Sequence, residues 1–229
     1  MSDRKRNRIG RVFSNLAISV DGKIATESRE MISLGSAKDL RLLRKLRNGA
    51  DAVVFGAEVL RAFRGACLPL DPKQRIVNAV LSHRLDRIDP NWPFFSNDRI
   101  DRILYVTEKL SPERTRKFSK MCEIVHIDSK SIAKAMLADL AKRGYRMIAV
   151  EGGGALMWEF VRADRIEEYF VTVVPRIVGG KNAPTMVDGV GFTPSQLRNL
   201  RLKRSRRVGS ELFLVYEPIR PSGKTHPLY

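Results

Sequence analysis

Cysteine and histidine are scarce in this chain: Cys67, Cys122, His83, His126 and His226 are all there is among 229 residues. The two cysteines stand far apart with no CxxC spacing, so neither a disulfide framework nor a zinc site is indicated, and both are expected as reduced thiols. No two histidines share a helical or hairpin spacing, which argues against a metal centre. HxE and PCxxC elements are missing, which removes a zinc deaminase. Long apolar runs are also lacking. Nothing approaches the roughly 18 uninterrupted apolar residues of a membrane span, and the basic segment Met1–Arg8 has no apolar stretch of signal-peptide kind after it. A cytoplasmic protein is the expectation. No Ser-His-Asp or Cys-His arrangement can be drawn, and no general acid or base stands out, so the catalytic residue is left unassigned.

What the chain does have is core material and positive charge. Hydrophobic residues make up 43% of it, enough for a sizeable buried core, and this excludes a mainly disordered protein. Lys and Arg number 42 against 25 Asp and Glu, a formal charge of +17 that draws anionic partners at long range. Nucleic acid, phospholipid head groups and phosphorylated metabolites would all respond to it, so motifs must choose between them.

The apolar segments alternate as in an α/β domain. Arg11 to Val20 reads as a first strand, and Asp21 to Ser33 as a turn or loop. From Ser36 a leucine pattern through Leu40, Leu42, Leu43 and Leu46, closed by Asn48-Gly49, reads as an amphipathic helix. Asp51 to Gly56 is a buried strand, followed by a brief helix through Leu60 and Phe63. Further strands are expected at Gln74 to Leu81, Ile103 to Thr107 and Glu123 to Ile127, with a helix at Ser131 to Arg143 capped by Ser131. The Pro- and aromatic-rich stretch Asp89 to Phe95 reads as a packed lid on the sheet rather than a base-stacking platform. Met147 to Val150 is a strand, Glu151 to Gly154 a turn and Ala155 to Ala163 a helix. Tyr169 to Val174 and Glu211 to Tyr216 read as late strands, adjacent to each other and antiparallel to the rest. The expected fold class is thus α/β, a single domain with a mixed, mostly parallel central sheet flanked by helices. A basic N-terminal tail (1–10) and a C-terminal tail (220–229) bound a domain at 11–219.

The turn Gly152-Gly153-Gly154 carries the first chemical signal. Three glycines between a strand and a helix let backbone approach a ligand closely, and free amides at the helix start favour phosphate, so the turn suits a dinucleotide pyrophosphate or a simple tight turn. Glu151, at the C-terminal end of its strand, is placed to accept hydrogen bonds from a sugar hydroxyl or an amino-pyrimidine, or to be merely solvated. Asp21-Gly22-Lys23 lies at the end of the first strand and reads equally as a plain turn. Arg47 grips an anion or complements the helix dipole.

Asn15 to Thr26, Val150 to Leu156 and Val174 to Thr185 resemble, in order and spacing, three segments of the pyrimidine reductases of riboflavin biosynthesis. The resemblance implies a dihydrofolate-reductase-like fold, NADPH as cofactor, a homodimer, and reduction of the ribosyl group of a phosphoribosylamino-pyrimidine to ribityl. By position it implies cofactor contacts at Ala17, Gly56, Glu58, Gly152, Gly153, Gly154, Ala155 and Leu156, with Ala17 beside the nicotinamide. It implies substrate contacts at Arg47, Glu151, Asp21 and Lys23, with Arg47 facing the substrate phosphate. No metal is implied. The chain departs from the family's Gly-Thr-Val and Asp-Asp-Pro segments: Glu58 stands for the threonine, and Ala62 or Phe63 for the aspartate. A related NADPH-dependent reductase of another pyrimidine or pteridine is therefore an alternative. In a different class, the basic run Arg198, Arg201, Lys203, Arg204, Arg206 and Arg207 suggests a nucleic-acid-binding protein, although a solvated strand is the usual meaning of such a run and no binding motif accompanies it.

Overall fold

The computed structural model describes residues 9–30 and 32–220. The tails expected at 1–10 and 220–229 fall almost wholly outside the described residues. Nine strands form one sheet in the order β5-β4-β3-β2-β6-β1-β7-β9-β8. In chain order they are β1 (Arg11–Ser19), β2 (Ala52–Gly56), β3 (Ile76–Ser82), β4 (Ile100–Val106), β5 (Glu123–His126), β6 (Met147–Val150), β7 (Glu168–Val174), β8 (Leu200–Val208) and β9 (Glu211–Pro218). The mixed, mostly parallel sheet is as expected, with one correction. β7 pairs parallel with β1, and β9, antiparallel to β7 and to β8, alone runs counter to the others. The physical reason lies in the connections. A helix carries the chain from β6 back over the sheet to β7 and restores its direction, whereas the Gly209-Ser210 hairpin between β8 and β9 reverses it.

Six helices flank the sheet: α1 (Ala37–Asn48), α2 (Ala57–Phe63), α3 (Pro93–Ser96), α4 (Pro112–Phe118), α5 (Ile132–Lys142) and α6 (Gly154–Arg162). α3 and α4 were not expected from the sequence. The Ser36 hydroxyl caps α1 by accepting from the Lys38 and Asp39 amides. Ser36 is itself held, its amide and hydroxyl donating to the Glu211 carboxylate at 2.8 and 2.6 Å. Ser131 precedes α5 as expected but makes no side-chain cap bond.

Each face of the sheet has its own core. On one, Met136, Leu140, Met157 and Phe160 of α5 and α6 are fully buried against Val12, Val54 and Ile148. On the other, Phe55, Leu60, Phe94 and Phe118 are equally buried. The expected aromatic lid is part of this second core: Phe94 meets Phe55 edge-on at 6.2 Å and Phe95 at 5.0 Å. Burying each such ring stabilises the fold by about 1.5–3 kcal/mol and removes it from any base-stacking role. No helix among the described residues is long and apolar enough to cross a membrane.

Candidate active site

β6 inserts between β1 and β2, so the chain leaving its C-terminal end emerges at the middle of the sheet, where α/β folds place their ligand crevices. The Glu151 amide donates to the Val54 carbonyl at 2.9 Å, and the Gly56 amide to the Gly152 carbonyl at 3.2 Å, which pins the glycine turn to the end of β2. Gly152 and Gly153 have φ of 104° and 81°, a region side-chain-bearing residues rarely enter. Gly154 opens α6 and is required for a different reason: a Cβ there would overlap the Asp188 carboxylate and the Thr185 carbonyl. No side chain caps α6.

The turn forms one wall of a cavity of about 810 Å³, and α1, α2 and the loop after β1 form much of the rest. Of the residues expected to contact cofactor, Ala17, Glu58, Gly152, Gly153, Gly154 and Ala155 line it. Gly56 and Leu156 do not: Gly56 backs the turn, and the Leu156 side chain is buried in the core beneath α6.

Arg47 and Glu151 line the cavity too, and the structure brings them together. Arg47 Nε donates to Glu151 Oε1 at 2.9 Å and Nη2 to Oε2 at 2.6 Å, while Nη1 donates to the Leu68 carbonyl at 3.0 Å. Their side chains are only 9% and 6% exposed. Burial opposes the Arg47 charge, but the carboxylate beside it more than offsets this and holds its pKa above the ordinary arginine value. Cys67, also on the wall, is a free thiol pushed up to about 12, chiefly by burial, with Arg47 pulling the other way. It is therefore a poor nucleophile.

Asp21 and Lys23, also expected as substrate contacts, do not line the cavity. Asp21 accepts from the Ser19 hydroxyl at 2.6 Å and from the Val178 and Gly179 amides at 3.1 and 2.7 Å, bonds that hold its pKa down to about 2. Lys23 Nζ donates to the Ala183 carbonyl at 2.9 Å, and the residue bridges to Thr185. Their polar groups thus fasten the end of β1 to the 178–185 segment. That segment carries Pro184 to the cavity wall, and Asp188 just beyond it lines the wall too.

Glu58, the departure from the family pattern, is half-exposed and faces three guanidinium groups: Arg61 at 2.6 Å, Arg87 at 3.4 Å and Arg29 at 3.8 Å. Its charge is thereby surrounded by cations, which lessens its repulsion of a phosphorylated ligand. Two cavity residues escaped the sequence reading, Asn15 on β1 and Asp39 in the first turn of α1; both are buried. Asp39 escaped because an acidic residue there is what the helix dipole favours in any case.

A family model described as the RibD C-terminal domain matches residues 11–214. A protein of Methanothermobacter thermautotrophicus named 2,5-diamino-6-ribosylamino-4(3H)-pyrimidinone 5′-phosphate reductase is 30% identical over 216 residues, 90% of this chain and 96% of that one. Among solved structures, a pyrimidine reductase-like protein from Corynebacterium diphtheriae matches 93% of each chain with a TM-score of 0.75 at 20% identity. Dihydrofolate reductase from Enterococcus faecalis shares the fold over 91% of this chain, with a TM-score of 0.51 at 14% identity. The resemblance expected from three short segments thus extends over nearly the whole domain, and the chain belongs to the RibD C-terminal domain family.

Proposed function

We propose that the protein is an NADPH-dependent reductase that converts the ribosyl group of a 5-phosphoribosylamino-pyrimidine to ribityl, a step of riboflavin biosynthesis. The observation that carries this reading is the single cavity wall on which the glycine turn meets the Arg47–Glu151 pair. The residues present suit a dinucleotide: the Gly153 backbone is open to close approach, and no side chain caps the start of α6. Gly153, Gly154 and Ala155 would hold its phosphates, and the small side chain of Ala17 leaves room for the nicotinamide end. When bound, the cofactor supplies hydride to the sugar carbon; the protein supplies position and field. Arg47, fixed by Glu151, would present its guanidinium edge to the substrate phosphate, and Glu151 would orient that guanidinium instead of holding the substrate alone. The name of the archaeal relative supports a pyrimidine that still carries its 2-amino group.

A homodimer accords with the apolar residues left open at the β8 edge, Leu200 and Leu202; sedimentation of the purified chain tests it. Two free thiols accord with a reducing, cytoplasmic setting. The nucleic-acid reading is weakened by pairing on β8, where Arg201 bonds Glu217 and Lys203 bonds Glu168. The deciding experiment is the loss of NADPH absorbance on mixing with the phosphoribosylamino-pyrimidine in its 2-amino and deaminated forms. Turnover of either supports the reading. No turnover of either, with strongly salt-dependent binding to nucleic acid instead, overturns it.

A further inference from the structure

A phosphate dianion needs positive charge that is not already neutralised, and the cavity holds little of it. Three arginines, Arg29, Arg44 and Arg47, line its wall together with five carboxylate residues, and no lysine does so among the described residues. Two of the arginines are committed. Arg47 meets Glu151 at 2.6 Å, so that pair brings hydrogen-bond donors to the wall but no net charge, and Arg29 stands 3.8 Å from Glu58. Asp39 opposes an anion whenever it is charged, and its Oδ1 has no hydrogen-bond partner among the described residues. Arg44 differs from the other two arginines: its side chain makes no ion pair and no hydrogen bond among the described residues.

Its place on α1 sets it beside Arg47. Residues three apart on a helix are neighbours on its surface, about 5–6 Å apart at Cβ. The Leu70 amide donates to the Arg44 carbonyl at 3.0 Å, and the Leu68 carbonyl accepts from Arg47 Nη1 at the same distance, so the two arginines and the 68–70 segment build one corner of the cavity. That corner lies toward the C-terminal end of α1, the negative end of its dipole. Backbone amides of this helix cannot hold an anion there, and a side-chain charge has to.

We propose that Arg44 supplies the charge that holds the substrate's 5′-phosphate, acting beside Arg47, and makes the site select the phosphorylated over the unphosphorylated substrate. The assignment rests on the reductase reading and adds the cation that the Arg47–Glu151 pair does not provide. A guanidinium has five N–H donors. Glu151 and Leu68 take the Nε donor of Arg47 and one on each terminal nitrogen, leaving one on Nη1 and one on Nη2. Arg47 can therefore fix the direction of the phosphate while Arg44 balances its charge. Because Arg44 is exposed, its contribution should weaken as salt rises.

The test is calorimetric titration of the full chain with ribose 5-phosphate and with ribose, at low and at physiological salt, alongside the KM of the phosphoribosylamino-pyrimidine and the NADPH affinity. The wild type should prefer ribose 5-phosphate, and more so at low salt. Arg44→Ala should weaken ribose 5-phosphate binding and raise the KM about tenfold, removing most of the preference over ribose, with NADPH affinity retained. Arg44→Lys keeps the charge without the planar fork and should fall between the two. Alanine suits an exposed helix position, so the variant should fold, with circular dichroism as the check. Unchanged ribose 5-phosphate affinity in a folded Arg44→Ala overturns the assignment. So does a loss of NADPH affinity with ribose 5-phosphate binding intact, which would give Arg44 to a cofactor phosphate. Turnover indifferent to Arg44 sinks this proposal alone. Absence of turnover in the wild type removes the reductase reading, and a ribose 5-phosphate affinity that still falls in Arg44→Ala would support the phosphate site without it.

Discussion

Arg47 and Glu151 are joined by three nitrogen–oxygen hydrogen bonds of 2.6 to 3.1 Å, the end of α1 tied to the end of β6 across 104 residues of sequence. The sequence resemblance implies a separate substrate contact for each; in the fold, neither group is independent of the other. Removing one partner leaves the other's charge buried. Glu151→Gln and Arg47→Ala should each lower unfolding free energy by roughly 3–5 kcal/mol, read by urea titration. The double variant should be less damaged than the sum of the two, because the second change removes the stranded charge. Strict additivity would show that the pair is not coupled.

The glycine turn separates two kinds of requirement. Gly154→Ala meets the Asp188 carboxylate and the Thr185 carbonyl and should destabilise by about 1–3 kcal/mol through overpacking. Gly153→Ala meets only ordinary contacts with Val59 and Gly56 and suffers chiefly from its positive φ, at a cost of about 1–2 kcal/mol. Gly153→Val adds a branched side chain and should abolish NADPH binding in a protein that still folds. Fluorescence titration of the cofactor with circular dichroism as the folding control distinguishes these outcomes, and undiminished affinity in the folded valine variant would remove the cradle assignment.

Asp39 should make stability depend on pH. Burial raises its pKa above the ordinary carboxylate value, Glu211 on β9 adds to this and the Thr172 bond from β7 opposes it. Because the folded-state value lies above the unfolded one, the protonated form favours the fold: its contribution is full below the ordinary carboxylate range and is lost as pH rises through the raised value. Asp39→Asn should therefore raise Tm at neutral pH, and the gain should vanish in acid where aspartic acid is itself uncharged. A gain of equal size at both pH values would contradict a titrating origin.

Neither thiol should react readily in the folded protein. Burial pushes Cys67 and Cys122 each up to about 12, leaving almost no thiolate at neutral pH. Iodoacetamide should label both quickly in denaturant and slowly without it; rapid labelling of the native chain would mean that one of them is accessible and activated.

Much of this molecule was legible beforehand because its signals are local. The leucine spacing of α1 with Ser36 before it, the apolar run of β2, and the strand, glycines and helix around Gly153 each declare themselves within a dozen residues. The direction of β7 did not, since it depends on how the α6 crossover returns to the sheet. α4 was missed because its polar segment Pro112–Phe118 buries only Phe118 and shows little periodicity. At the site, a sequence can name Arg47 and Glu151 but not their bond, and it cannot mark Asp21 as a clasp for the 178–179 backbone. Asp39 looks like an ordinary first-turn residue until the fold withholds a partner from one of its oxygens.

The position of β6 also bears on synthesis at the ribosome. Among the described residues β1 pairs only with β6 and β7, and β6 is the strand that joins β1 to β2. β2 through β5 pair with their sequence neighbours and can assemble early, but β1 has no hydrogen-bonding strand among the described residues until residues 147–150 have emerged. The N-terminal segment must therefore wait while more than half the chain is translated, and closing the sheet is a late, long-range event of the kind that slows folding. The chain is most exposed to aggregation in that interval, and slower translation ahead of Met147 would lengthen it.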